Sequence, residues 1–190
     1  MSKARLVILA SGSGSIAQSI FDAVSQGKLD AHIVALICDK PGATVLERAT
    51  KSNIETHLIP MHGDRKNWDQ EVLSKLTSLQ PDLVVSAGFM RILSSEVVSR
   101  FRIINSHPAL LPLFPGAHAV RDALAAGVTK TGTTIHWVDS GVDTGEIIAQ
   151  EAVEITPTDT EASLHERIKI VERRLYIETI KQLLPNLVRS

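Results

Sequence analysis

The chain has 190 residues, with 21 acidic and 20 basic side chains, so its formal net charge at pH 7 is −1. A hydrophobic fraction of 44% and a charged fraction of 22% are typical of folded globular proteins and exclude a wholly disordered chain. The near-neutral charge argues against a nucleic-acid coat or a membrane-surface protein, because both need a basic excess. The length predicts one domain over residues 1–190.

Cysteine content and hydropathy indicate where the protein works. Cys38 is the one cysteine and cannot form an internal disulfide, which indicates a reducing compartment. No apolar run approaches the roughly 20 residues of a membrane-spanning helix. The first residues also lack a convincing signal-peptide cleavage site. We therefore expect a cytoplasmic protein that contacts neither membrane nor nucleic acid.

The first half of the chain alternates short apolar runs with helical patterns. Apolar runs predict four strands, at residues 6–10, 33–38, 56–59 and 83–86. Apolar residues at helical spacing predict three helices, at residues 16–24, 44–52 and 69–79. Such alternation implies right-handed crossovers and a mainly parallel sheet with helices on both faces.

The second half changes character. A strand at residues 102–104 leads into a proline-rich loop, and a helix follows at 117–126. Segments 131–138 and 147–155 are rich in β-branched residues and predict two antiparallel strands. A long amphipathic helix is expected at 160–184, with Asp159 or Thr160 as its N-cap. The predicted fold is therefore α/β and Rossmann-like, with an antiparallel C-terminal part.

A glycine-rich turn, Ser-Gly-Ser-Gly-Ser at residues 11–15, separates the first strand from the first helix. Glycines let the backbone approach a ligand, and free amides at a helix start attract anions, so this turn predicts a phosphate site. The same residues support another hypothesis, a dinucleotide-binding module. Gly12-x-Gly14-x-x-Ala17 fits that fingerprint, and Asp39 follows the second strand where a ribose-binding acid would stand.

Three polar side chains form a candidate catalytic set. Asn105 and His107 alternate by two at the end of a strand, so both project to the same side. An amide donor and a histidine could together stabilise an oxyanion and move a proton, as acyl transfer requires. Asp143 lies in a glycine-containing loop, and a carboxylate near a histidine favours the charged form of that histidine. Local hydrogen bonding within each loop is the alternative for all three residues.

Longer motifs around these residues resemble the folate-dependent formyltransferases. The sequence Asn-Ser-His-Pro-Ala-Leu-Leu-Pro at 105–112, followed by Gly116, is similar to the signature of that family. Together the similar segments extend over nearly the whole chain. These segments are 11–15, 46–49, 87–93, 105–112, 132–138 and 142–145.

The resemblance implies transfer of a formyl group from the co-substrate 10-formyltetrahydrofolate to the amine of glycinamide ribonucleotide. By position, it implies that Asn105 holds the formyl oxygen and that His107 acts as general acid and electrostatic partner. It implies that Asp143 orients and charges His107, and that His136 supports the site. A formyltetrahydrofolate hydrolase and a transferase acting on transfer RNA share this core. The length of 190 residues leaves no room for their additional domains, so we expect the small-molecule acceptor.

The resemblance also implies binding residues. The ribonucleotide phosphate is expected at the backbone amides of Gly14, Ser15 and Ile16, and the glycinamide end at Lys169 and Glu172. The expected folate-binding residues are Arg65, Met90, Arg91, Ile92, Leu93, Asn105, Asp139, Ser140, Gly141, Val142 and Asp143.

The sequence departs from the family pattern at two places. It also leaves open whether a metal binds and how many copies of the chain assemble. Ile16-Ala17 stands where the family usually has Asn-Leu, which removes a side-chain contact but not a backbone one, and Glu146 replaces a common proline. No short Cys/His spacing supports a metal, although His57, His62 and Asp64 resemble loose ligands, so no metal is predicted. A monomer or a homodimer is expected.

Overall fold

The computed structural model describes residues 3–187; the ends of the predicted domain, residues 1–2 and 188–190, lie outside the described residues. Within 3–187, seven strands form one sheet in the order β3-β2-β1-β4-β5-β6-β7. The strands are β1 (Ala4–Ala10), β2 (Ala31–Cys38), β3 (Thr56–Leu58), β4 (Leu83–Ser86), β5 (Ile103–His107), β6 (Lys130–Trp137) and β7 (Ile147–Glu154). The first five run parallel, and β6 and β7 pair antiparallel, which confirms the predicted fold class.

Six α-helices accompany the sheet in the described part of the chain. They are α1 (Ser15–Ser25), α2 (Thr44–Lys51), α3 (Arg65–Leu79), α4 (Ser95–Arg100), α5 (Ala119–Ala125) and α6 (Glu161–Leu183). A short 3₁₀ turn, Leu184–Asn186, follows α6. The N-cap of α6 is Thr160, whose hydroxyl accepts from the Ser163 amide while the Ser163 hydroxyl accepts from the Thr160 amide. This reciprocal capping box explains why the long helix begins there.

Burial on both faces explains why β1 is apolar from Leu6 to Ala10. Leu6 and Ile8 pack on the side of α1, α2 and α6, whereas Val7 and Leu9 pack on the side of α3 and α4. A parallel strand covered on both faces has no solvent side on which to place polar residues. The predicted helices on both faces of the sheet are therefore present.

Several predicted boundaries were wrong, and those next to the cleft matter most for the site. The strand expected at 102–104 continues to His107, because β6 pairs with it and places His136 opposite Asn105. The helix expected at 69–79 begins four residues earlier, at Arg65, because Asp64 caps it by accepting from the Lys66 amide at 3.0 Å. The helix expected at 117–126 is shorter, Ala119–Ala125.

The strand order reverses between β1 and β4. On one side of β1 lie β2 and then β3. The next strand in the chain, β4, pairs with the other side of β1. The loops that leave β1 and β4 therefore diverge at the carboxyl edge of the sheet, which is where open α/β sheets bind ligands.

Candidate active site

A cleft of about 670 Å³ opens at this carboxyl edge. Its walls come from the glycine-rich turn after β1, the segment after β4, the end of β5 and the loop after β6, with α6 closing one side. The volume lies within the range usual for small-molecule sites.

Backbone groups form the glycine side of the cleft. Gly14 precedes α1 with a φ of 71°, and a Cβ at Gly14 would lie 2.3 Å from Val45 Cγ2. No side chain caps the start of α1. The first amides of a helix have no acceptor within it, and Ser15 and Ile16 line the cleft. With the positive end of the helix dipole, these free amides are suited to an anion and need no lysine or arginine beside them.

Asn105 and His136 face each other across the β5–β6 ladder. His136 Nδ1 lies 2.9 Å from the Trp137 carbonyl oxygen and therefore donates to it. Its Nε2 then carries a lone pair when the ring is neutral and accepts from Asn105 Nδ2 at 3.4 Å. This contact orients the Asn105 amide and leaves its second N–H available to another acceptor.

Both ring nitrogens of His107 face acceptors. Nε2 lies 2.7 Å from the Phe114 carbonyl oxygen, and Nδ1 lies 3.2 Å from Asp143 Oδ2. Only the imidazolium form can donate to both at once. The histidine side chain is almost wholly buried, so this arrangement suits a positive charge held at a fixed position.

Asp143 is held by several donors. Burial raises the pKa of its carboxyl group, but the His136 side chain, the Gly116 amide and the charge of His107 together lower that pKa below the usual 3.8. The Gly116 amide donates to Asp143 Oδ2 at 2.9 Å, and His136 Nε2 lies 3.6 Å from Oδ1. Asp143 has a φ of 55°, a left-handed conformation that is costly for a non-glycine residue.

The loop that carries Asp143 is fixed internally. Asp139 Oδ1 accepts from the Gly141 amide at 3.0 Å and from Thr144 Oγ1 at 2.8 Å. A Cβ would lie 2.0 Å from Thr144 Oγ1 if placed on Gly141, and 1.7 Å from the Trp137 carbonyl oxygen if placed on Gly145. Close backbone approach therefore requires both glycines.

The α6 side of the cleft carries an acid without an ion pair. Glu172 is 6% exposed, and no cation lies within salt-bridge distance of it in the described residues. Burial raises the pKa of its carboxyl group, partly offset by the Ser106 hydroxyl and the charges of Lys169 and Arg173. Lys169 Nζ instead contacts Glu166 Oε1 at 2.7 Å. A nearly buried, unpaired carboxylate is suited to binding an amine or amide donor.

Comparison with known proteins identifies the family. The family described as Formyl transferase matches residues 4–180. A phosphoribosylglycinamide formyltransferase of Mycobacterium tuberculosis is 47% identical over 184 residues, which cover 95% of this chain and 85% of that protein. The chain belongs to the formyl transferase family.

Solved structures of this formyl transferase family have the same fold. A glycinamide ribonucleotide transformylase from Symbiobacterium toebii superposes with a TM-score of 0.94 at 36% identity, covering 97% of this chain and 89% of that one. A phosphoribosylglycinamide formyltransferase from Bacillus halodurans gives a TM-score of 0.90 at 43% identity, with 95% of each chain covered.

In this formyl transferase, most site residues named from the sequence line the same cleft. They are Gly14, Ser15, Ile16, Met90, Arg91, Ile92, Leu93, Asn105, His107, His136, Asp139, Gly141, Val142, Asp143, Lys169 and Glu172. Arg65 and Ser140 do not line it. The Arg65 guanidinium donates to the Ile92 carbonyl oxygen and pairs with Asp69 at 2.8 Å, so it supports the 90–93 segment from outside.

Sequence reasoning missed Ser106 and Gly116. Ser106 lies between Asn105 and His107, and its hydroxyl lowers the pKa of the Glu172 carboxyl group on α6. Alternation along β5 indicates that Ser106 points away from its two neighbours. Its partner lies 66 positions further along the chain, so no local pattern could reveal the contact. Gly116 acts through its backbone amide, which carries no residue-type signal.

In the structure, Asp39 cannot serve as the ribose-binding acid that the dinucleotide hypothesis requires. Asp39 is buried and paired with Arg91 at 2.7 Å, so its carboxylate is not available to a ribose.

The described residues contain no group of three side chains that could hold a metal ion. Within 3–187, no helix is both long and apolar enough to cross a membrane.

Proposed function

We propose that this protein is a phosphoribosylglycinamide formyltransferase, which transfers the formyl group of 10-formyltetrahydrofolate to the amine of glycinamide ribonucleotide in purine biosynthesis. One observation carries the proposal. The Asn105 amide, oriented by His136, and His107, which faces the Asp143 carboxylate, lie in the same cleft as a helix start with free backbone amides. The names of relatives up to 47% identical support the same acceptor.

The chemistry follows from what each side chain can donate. The acceptor amine attacks the formyl carbon, and the formyl oxygen gains negative charge. Asn105 donates its free N–H to that oxygen, and the nearby positive charge of His107 stabilises it further. Asp143 keeps His107 charged and oriented. The amine loses its proton towards Asp143 through a water, and the leaving nitrogen of the folate gains one from His107, which requires exchange of a His107 hydrogen bond.

The two substrates are assigned to opposite ends of the cleft. The phosphate of the acceptor binds the amides of Gly14, Ser15 and Ile16, and its glycinamide end reaches Lys169 and Glu172. The pterin ring lies between the segment 90–93 and the loop 139–143, which expose the apolar side chains of Met90, Ile92 and Val142. Arg65 lies near the folate tail. A cytoplasmic location and a monomeric or homodimeric state belong to the same proposal.

A formyl-transfer assay tests this function. The purified protein is supplied with 10-formyltetrahydrofolate and glycinamide ribonucleotide, and the formylated acceptor is detected by mass spectrometry. We expect product formation that depends on the acceptor. Glycinamide without the phosphoribosyl group should react far more slowly, because it cannot use the anion site.

Two results would contradict the proposal. Formate release at the same rate without any acceptor would identify a hydrolase. Absence of turnover, together with binding of a reduced nicotinamide dinucleotide, would identify a dinucleotide-binding module.

A further inference from the structure

Asp39 is a buried acid for which the proposed chemistry has no use. It follows β2 at the carboxyl edge of the sheet, and its side chain is 1% exposed. Its Oδ2 lies 2.7 Å from Arg91 Nε, whereas its Oδ1 is buried without a hydrogen-bond partner among the described residues. A carboxylate desolvated to this degree is costly to keep, so the pair is poor evidence for stability and better evidence for a fixed local geometry.

Arg91 belongs to the segment after β4, residues 88–93, which we call the β4 segment. Phe89 and Leu93 pack against the core near the ends of this segment, whereas Met90 and Ile92 between them are 69% and 58% exposed and bury little apolar surface. Polar contacts must therefore contribute to its position. Arg91 uses its Nε–H on Asp39, and this contact attaches the β4 segment to the end of β2.

Two further contacts attach the β4 segment to the strand ends beside it. The Ser11 amide donates to the Gly88 carbonyl oxygen at 3.1 Å, and the Met90 amide donates to Ser11 Oγ at 2.8 Å. Ser11 and Asp39 stand at the ends of neighbouring strands, β1 and β2. The segment is thus attached at three successive places to the edge that also carries the phosphate site.

We propose that Asp39 is a positioning residue for folate binding: by holding Arg91, it fixes the β4 segment in the shape that receives the pterin ring. The inference rests on the proposed function for the identity of the ligand. It assigns to Asp39 a role distinct from ribose recognition. Asp39 touches neither substrate and acts through Arg91.

A double-mutant cycle tests this inference. Asp39→Asn keeps the size of the side chain but removes its charge, and Arg91→Met removes the partner. Each should raise the KM for 10-formyltetrahydrofolate by about tenfold, while the KM for glycinamide ribonucleotide changes by less than about twofold. The double variant should be no worse than the more impaired single variant, because both changes break the same contact.

Asp82→Asn is the matched control. Asp82 accepts a hydrogen bond from the Arg5 amide at 2.8 Å at the opposite end of β1, so this change tests the general effect of Asp→Asn beside the sheet. It should leave both KM values unchanged. Thermal melting of all variants separates loss of folding from loss of binding. If Asp39→Asn fails to fold, the double variant, neutral at both positions, carries the same prediction.

A second readout makes the outcome independent of the acceptor. Isothermal titration calorimetry with tetrahydrofolate should show the same tenfold weakening in Asp39→Asn. If the wild-type protein transfers no formyl group to glycinamide ribonucleotide, the proposed function fails, but this titration still tests Asp39. Equal increases in both KM values, effects that multiply in the double variant, or unchanged tetrahydrofolate affinity would overturn the inference.

Discussion

Single residues in the cleft differ in which hydrogen-bond donors remain free. Asn105 uses one N–H on His136 and keeps the other. His107 uses both ring nitrogens, on Phe114 and Asp143. Asn105 is therefore the side chain that can donate directly to a developing oxyanion, whereas His107 contributes its charge from a fixed position.

Replacing Asn105 tests this division. Asn105→Ala should lower kcat by roughly 10²–10³, the usual cost of losing one oxyanion donor. The KM values should change little, because the interaction forms mainly in the transition state. Steady-state kinetics with both substrates measures the effect. Asn67→Ala, at an exposed position on α3, serves as control and should retain full activity. A kcat within a factor of about three of wild type would remove Asn105 from the catalytic set.

Asp143 makes a prediction about pH and stability. Its folded-state pKa lies below the ordinary 3.8, so its charge stabilises the folded state above that pH, and this contribution disappears as the pH falls through the folded pKa. Asp143→Asn can still accept from the Gly116 amide but carries no charge. The difference in free energy of unfolding between wild type and Asp143→Asn should be largest near neutral pH and shrink on acidification.

Urea unfolding between about pH 2 and 7 measures this difference, since the loss occurs below the ordinary pKa of 3.8. Asp30→Asn, at an exposed position paired with Lys3, is the control and should show a small difference throughout. If the difference in free energy of unfolding between wild type and Asp143→Asn increases as the pH falls, the assigned direction of the pKa shift is wrong.

Secondary structure could be predicted where apolar periodicity was strong. Such patterns located all seven strands and five helices of the described chain. They missed α4, because a six-residue helix with one buried residue, Val97, gives almost no periodic signal. They also ended β5 too early, because Asn105 and His107 are polar and their strand conformation depends on pairing with β6. The local motifs could be predicted, whereas contacts such as Ser106 with Glu172 depend on tertiary packing.

The start of α1 gives a prediction at the level of the element. Gly14 combines a positive φ with a Cβ position only 2.3 Å from Val45 Cγ2, so Gly14→Ala must separate α1 from α2. We expect a loss of at least about 2 kcal/mol in the free energy of unfolding, the sum of strain and overpacking. We also expect a higher KM for glycinamide ribonucleotide, because the anion-binding amides move. Urea unfolding and steady-state kinetics test the two effects.

Gly27 provides a matched control, since it follows the same helix with the same φ of 71°, but no atom lies within 4 Å of the position that a Cβ would take there. Gly27→Ala should therefore cost only about 1 kcal/mol, from backbone strain alone, and leave the KM unchanged. If Gly14→Ala and Gly27→Ala lower the free energy of unfolding equally, contact with Val45 does not contribute to the cost at Gly14.

On the scale of the whole molecule, a net charge of −1 must be reconciled with the two anionic substrates of the proposed reaction. A protein with no overall positive field cannot draw anions from a distance. Affinity has to come from groups that act only at contact, such as the free backbone amides at the start of α1. The phosphate site needs no basic side chain in the glycine-rich turn, which is consistent with the neutral composition.

The near-neutral net charge predicts that kcat/KM depends only weakly on ionic strength. Salt screens charges separated by more than about 10 Å at 0.1 M but affects close contacts much less. The kcat/KM for glycinamide ribonucleotide should therefore fall by less than about threefold between low salt and about 0.15 M, whereas steering by a strong positive field gives effects of tenfold or more. Initial rates at subsaturating acceptor, in potassium chloride or in sucrose of equal osmolality, separate screening from general solvent effects. A steep decline in potassium chloride alone would reveal a local positive field around the cleft that the overall charge conceals.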